Sequence, residues 1–332
     1  MLHLAGAPEL SLVTRDAWRR LAALCALSFG AIVAWSRAGV VLHEIAHALV
    51  WKLQGGTVRA VEVTLFGGGL VVTDGATREG ASRLAFDVAG IVADGALGLA
   101  LAAAVAIALA RGRGGRAPAR ASLAHVLAWG AVLNLAGATH YAAVGSFYGT
   151  GDTGAYPWLW APAFAMLLAA MPVGVWLWAR TLVPLAALDG GDGRVRLGAA
   201  GLAAAGLPLA AYVAALAIEQ AVAGPQTQFA TLRAEEVAIA RAVEERRAEK
   251  VEAWRRSHGD EPPPPEVFAV DEDDVPRPFP FVGLVAAVDA AAVAGSTLLP
   301  WTRRAPRPPG RRALVLPLVA AALAVFVCAV VV

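Results

Sequence analysis

The chain has 332 residues, of which 58% are hydrophobic and 16% charged, and a mean hydropathy of +0.59. Soluble domains carry about 25% charged residues, so the composition excludes a soluble globular protein and points to an integral, multi-pass membrane protein bounded by membrane lipid. The net charge of +2 gives no footprint for nucleic acid, and two cysteines, Cys25 and Cys328, both in apolar runs, exclude a disulfide framework or a cysteine-based zinc site.

Residues 1–20 form a flank that ends in Arg15, Trp18, Arg19 and Arg20, a basic stretch with an aromatic residue suited to the membrane interface. The first apolar run follows this mixed stretch without a small-residue cleavage site, so it is expected to be retained rather than removed as a signal peptide. From Leu21 to Leu53 the chain is apolar, broken only at Ser36 and Arg37. As one helix this run would be about 50 Å long, against a hydrocarbon core of roughly 30 Å. It is therefore either one long tilted helix or two pieces that meet near Arg37.

Within that run lies V-L-H-E-I-A-H-A-L-V, residues 41–50. On a helix, His43 and His47 project from one face one turn apart, a spacing that lets two imidazoles hold one metal ion, with Glu44 beside it as a general base. Ionisable groups inside apolar segments are rare and usually functional. The expected site is a membrane-embedded Zn2+ site.

Gly55 and Gly56 stop the helix. Residues 57–73 then alternate β-branched and polar residues around Gly67, Gly68 and Gly69, which reads as a short β-hairpin whose turn is the glycine run. Such a hairpin can receive an extended peptide along its edge. A second helix is expected over 82–110, rich in Gly and Ala for close packing. It carries Asp87 and Asp94 on one face, and Asp94 reads as a structural hydrogen-bonding residue in preference to a partner of the metal site. Arg111, Arg113, Arg116 and Arg120 mark a cytoplasmic loop.

A third helix spans about 122–148 and contains His125, Asn134 and His140; it leads into a glycine-rich break that contains Asp152. Further helices are expected at about 158–183 and 197–222, with Leu188-Asp189-Gly190-Gly191 between them. Residues 224–280 differ in kind: a charged helix with Glu and Arg at spacings of three and four, then proline and acid-rich linker. This reads as a solvated insertion. Apolar spans are expected again at 281–299 and 314–332, separated by a basic, proline-rich loop.

The fold class is thus an all-α polytopic membrane protein of about seven transmembrane helices, with a short β-hairpin after the metal-binding helix. The chain divides into a flank (1–20), a five-helix core (21–223), the charged segment (224–280) and a C-terminal helix pair (281–332). A single crossing by residues 21–53 places the basic loops together on the cytoplasmic side and 224–280 on the other.

A catalytic zinc site needs a third protein ligand and an open position. Asp152, Asp189 and His140 are the candidates offered by the residues themselves.

The run H-E-I-A-H-A-L-V, followed by Q-G-G-T-V-R-A-V-E-V and F-G-G-G-L-V-V, resembles the site-2 protease family of intramembrane zinc metalloproteases. The likeness is to its compact bacterial branch without a PDZ domain, and it covers roughly residues 38–155. It implies a bacterial cell membrane, zinc held by His43, His47 and a later aspartate, and water activated by Glu44. By order along the chain that aspartate is Asp152, although G-D-T stands where the family has L-D-G. Asn134, in L-N-L-A, resembles the family's asparagine that helps to hold the substrate backbone, and Gly67 and Gly68 fall in the substrate-receiving hairpin. The implied activity is hydrolysis of peptide bonds in membrane-anchored protein substrates. The competing expectation is a catalytically inactive membrane protein of the same fold that binds metal or a partner helix.

Overall fold

The computed structural model describes residues 15–75, 80–111, 118–185, 193–223, 234–259, 261–270, 275, 278–279 and 281–298. Helix α1 runs unbroken from Arg15 to Leu53, which settles the first long run as one helix. Gly55, at φ 80°, ends it. The amide of Gly55 donates to the Lys52 carbonyl and that of Gly56 to the Trp51 carbonyl, each at 2.9 Å, the paired closing bonds that a left-handed glycine permits.

Strands β1 (Thr57–Val63) and β2 (Gly69–Asp74) follow as an antiparallel hairpin, from Thr57 opposite Asp74 to Val63 opposite Gly69, with an irregularity at Arg59. The turn is residues 64–68, where the Thr64 amide donates to the Gly68 carbonyl at 3.0 Å. Gly69, expected in the turn, is instead the first residue of β2.

Helices α2 (Gly80–Arg111), α3 (Pro118–Tyr148), α4 (Trp160–Leu185) and α5 (Gly193–Ala223) complete the apolar core. A charged helix α6 (Ala234–His258), a single turn α7 (Pro265–Phe268) and an apolar helix α8 (Phe281–Leu298) come after it. Five helices among the described residues are long and apolar enough to cross a membrane: Leu21–Leu53, Ser82–Ala110, Ala121–Tyr148, Pro157–Leu182 and Gly201–Val222. Of the other two expected spans, 281–299 corresponds to α8, and 314–332 lies outside the described residues, as does Asp189.

Helix α3 sits at the centre, packed on α1, α2 and α4. Its buried His125 bridges two neighbours, facing Ser28 Oγ of α1 at 3.0 Å and Thr181 Oγ1 of α4 at 2.8 Å. Trp129 and Trp178 pack edge to face beside it, with centroids 5.3 Å apart. Helix α1 divides its surface by angle: Ile45 and Leu49 are exposed, on the side suited to lipid, while Glu44 and His47 are buried. The 3.6-residue repeat thus turns the motif inward and its apolar neighbours outward.

The hairpin lies back along α1. Arg37, Glu44 and Trp51, spaced by seven residues and so on one stripe of the helix, meet it at the turn, at Gly69 and at its open end. Arg37 is 1% exposed. Its guanidinium donates to the carbonyls of Thr64 (2.6 Å), Phe66 (3.0 Å) and Gly67 (2.5 Å). Trp51 Nε1 faces the carbonyls of Thr57 and Asp74 at 3.2 and 3.3 Å. Fourteen residues of helix rise about 21 Å, close to the length of the strands, so the turn reaches as deep into the helix bundle as Arg37 does.

Candidate metal centre

His43 and His47, one turn apart on α1, are joined by Asp152 from the loop that follows α3. These three could hold a metal ion: their donor atoms all lie within 4.8 Å of one another. The loop arrives there by folding back on α3. Gly149 (φ 67°) and Gly151 (φ 60°) adopt the left-handed conformation that favours glycine. The Thr150 amide bonds the Gly145 carbonyl at 2.8 Å, and the Thr153 hydroxyl bonds that of Ala142 at 3.2 Å. The amide of Asp152 itself donates to the Tyr141 hydroxyl at 3.2 Å. The carboxylate is held in place by its own backbone.

A neutral imidazole has one N–H and one bare nitrogen. His47 Nδ1 faces the Phe86 carbonyl at 2.6 Å, which can only accept, so Nδ1 carries the proton. His43 Nδ1 faces Asp94 Oδ2 at 2.8 Å, and the same assignment follows with Asp94 as a carboxylate. Both Nε2 atoms are then bare, and both point at Asp152 Oδ2, at 3.0 and 3.1 Å. Three acceptors converging on one place repel each other unless a metal ion or a proton lies between them. The alternative, two imidazoliums with ring centroids 4.8 Å apart, places like charges side by side in an apolar bundle, which is costly.

The donor set fits a metal on chemical grounds. Two imidazole nitrogens and a carboxylate oxygen are the ligand types of a catalytic zinc site. Tetrahedral bonds of about 2.0–2.1 Å put ligand atoms about 3.3 Å apart; the two histidine–aspartate separations, 3.0 and 3.1 Å, are close to this, and the two histidine donor atoms lie within 4.8 Å of each other. Each histidine is also oriented from behind through its Nδ1, as metal-ligating histidines usually are.

A metal held here would bind Asp152 as the carboxylate and each histidine through its bare Nε2.

Glu44 is buried beside these three residues, 7% exposed, and its side chain lies against Gly69. A methyl group on Gly69 would sit 2.5 Å from Glu44 Cγ and 2.7 Å from Oε1, so only glycine fits there. Gly90 of α2 plays the same part for His43, whose ring occupies the place a Cβ would take. The sequence offered Gly69 only as a turn residue and did not single out Gly90, because each is explained by its neighbour from another element.

Other sequence candidates lie elsewhere. His140 Nδ1 faces Asp289 of α8 at 3.7 Å and is not among the three converging residues. Asp94, expected to be structural, is corrected to a partner of His43. Asn134 donates from Nδ2 to its own helix at Gly130, 2.8 Å away, and its Oδ1 packs on Gly39 of α1, one turn before His43. Gly67 and Gly68 form the hairpin turn, with the Gly67 amide bonded to Glu219 of α5 at 3.0 Å. Glu219 was not legible as a site residue, although a carboxylate near the end of an apolar helix is a signal in itself.

No protein-family model, no curated protein and no solved structure matches this chain.

Proposed function

We propose that the protein is a membrane-embedded zinc metalloendopeptidase of the site-2 protease type, acting on membrane-anchored protein substrates. The observation that carries this reading is the convergence of His43 Nε2, His47 Nε2 and Asp152 Oδ2 beside the buried carboxyl of Glu44. Two histidines and an aspartate leave a fourth position open, which is the catalytic pattern and not the closed structural one.

Zinc, when bound, supplies Lewis acidity, making water acidic enough to lose a proton near neutral pH and polarising a peptide carbonyl. Glu44 takes the proton from the attacking water and delivers it to the nitrogen of the departing amine, one carboxyl serving as base and then as acid. Asp94 and the Phe86 carbonyl keep His43 and His47 turned towards the site. The hairpin gives the substrate a template: a helix must unwind before its backbone can be cut, and an extended segment can pair with a strand edge. The contact between Gly69 and Glu44 places that template next to the base. Gly67 and Gly68 set its depth, and Asn134 lies one helical turn from the motif.

The test is cleavage of a panel of single-span membrane proteins in detergent or proteoliposomes, by wild type and Glu44→Gln. The reading predicts at least a hundredfold loss of cleavage with metal content retained, in the range expected for removing a catalytic acid–base. Metal bound with no cleavage of any substrate by the wild type would favour an inactive relative that only binds metal.

A further inference from the structure

The charged segment between α5 and α8 has no role in the chemistry above, yet both of its ends meet the loop that carries Asp152. Near its start, Arg241 of α6 donates from Nη2 to the Gly149 carbonyl at 2.8 Å. Its other terminal nitrogen occupies the space a Cβ on Gly149 would need. At the far end, the Tyr148 hydroxyl donates to the Phe279 carbonyl at 2.8 Å and accepts from the Phe281 amide at 2.9 Å. Tyr148 and Phe281 are 5% and 2% exposed, and Phe281 stacks on Phe147 with centroids 4.6 Å apart and an interplanar angle of 18°.

Tyr148 and Gly149 are the last residue of α3 and the left-handed residue that starts the return of the chain towards the histidines. Asp152 is three residues further on. The amides that define the return, Thr150 to Gly145 and Asp152 to Tyr141, follow directly from the conformation set at Gly149. A grip on residues 148–149 is therefore a grip on where the third ligand lies.

We infer that the extramembrane segment is a positioning element for the metal centre, with Arg241 and Tyr148 holding the Asp152 loop in its ligating conformation. This rests on the metal-site reading above. It gives the segment a function: displacement of α6, by a binding partner or by proteolysis, lowers metal affinity and so turns the site down from outside the membrane. Arg241 and Tyr148 are not among the three converging residues, and they bond the backbone at Gly149 and Phe279, so their effect passes through the loop backbone. Ligands held by such supporting contacts typically lose about 10–100-fold in metal affinity when the support is removed.

The experiment compares full-length wild type, Arg241→Ala, Arg241→Lys, Tyr148→Phe and the Arg241→Ala/Tyr148→Phe double variant, with Arg246→Ala as a control on the same helix. Two quantities are read: hydrogen exchange of the 150–156 amides, and zinc affinity by chelator competition. The inference predicts faster exchange in Arg241→Ala and in Tyr148→Phe, an affinity loss of about tenfold in the double variant, restoration towards wild type by Arg241→Lys, and no change in Arg246→Ala. Exchange unchanged in the double variant overturns it, as does faster exchange with wild-type zinc affinity. If the wild type binds no zinc, the metal-site reading fails and the link to metal fails with it, while exchange alone still decides whether the segment holds the loop.

Discussion

Arg37 and Glu219 grip opposite poles of the same hairpin turn. Arg37, from α1, takes the carbonyls of Thr64, Phe66 and Gly67. Glu219, from α5, takes the amides of Leu65, Phe66 and Gly67 at 2.6, 2.7 and 3.0 Å. The Tyr212 hydroxyl donates to the Phe66 carbonyl at 2.7 Å from the same helix. A turn lying against apolar helices would leave its peptide groups without partners, at a cost of about 1–3 kcal/mol each. Here one cation and one anion satisfy them through the backbone.

Removing either pole leaves the other charge and several peptide groups uncompensated. Arg37→Leu and Glu219→Leu are each expected to destabilise the protein by about 2–4 kcal/mol. The double variant should lose less than the sum, since it removes both uncompensated charges. Denaturation in mild detergent, arranged as a double-mutant cycle, measures this; strict additivity would mean that the two residues act independently.

Asp94→Ala should weaken metal binding by about 10–100-fold without abolishing it, because it frees the His43 ring to rotate but removes no ligand. Asp94→Asn should lose less, since the amide oxygen can still accept from Nδ1. Chelator competition resolves the order; equal affinities for wild type and Asp94→Ala would make Asp94 structural after all.

Gly69→Ala and Gly90→Ala press on different groups. The first displaces Glu44 and should depress cleavage with metal retained; the second displaces His43 and should lower metal affinity itself. Measuring both quantities on both variants separates the base from the ligand set. The same loss in each variant would point to general misfolding.

The motif helix and the hairpin were legible because their signals are local. H-E-x-x-H at one-turn spacing, Gly55-Gly56 as a stop and β-branched alternation each refer to a few neighbouring residues. From the residues alone Asp152 was one of three candidates, singled out only by the family resemblance, since its arrival depends on a fold-back set by Gly149 and Gly151. Arg37 read as a break in an apolar run, when it is the fixed point of the hairpin turn. Its seven-residue spacing from Glu44 and Trp51 was visible, but nothing in the sequence says that a strand lies along that stripe. Glu219 was opaque for the same reason, and Asp94, weighed as a partner of the site, was read as structural: each is explained by a partner from a distant part of the chain.

His140 supplies a control on the choice of third ligand. It pairs with Asp289 and is not one of the three converging residues, so His140→Ala should leave metal affinity within about twofold of wild type, a change too small for a lost ligand. A loss as large as that of His43→Ala would move the metal centre towards α8.

In the proposed function, His43, His47 and Asp152 together hold one metal ion. The most direct measurement is the metal content of the purified full-length protein, wild type beside Asp152→Ala, by elemental analysis. One zinc per chain is expected in the wild type, with loss of most of it in the variant. A wild type without metal, or an Asp152→Ala protein that keeps its full complement, would contradict this reading.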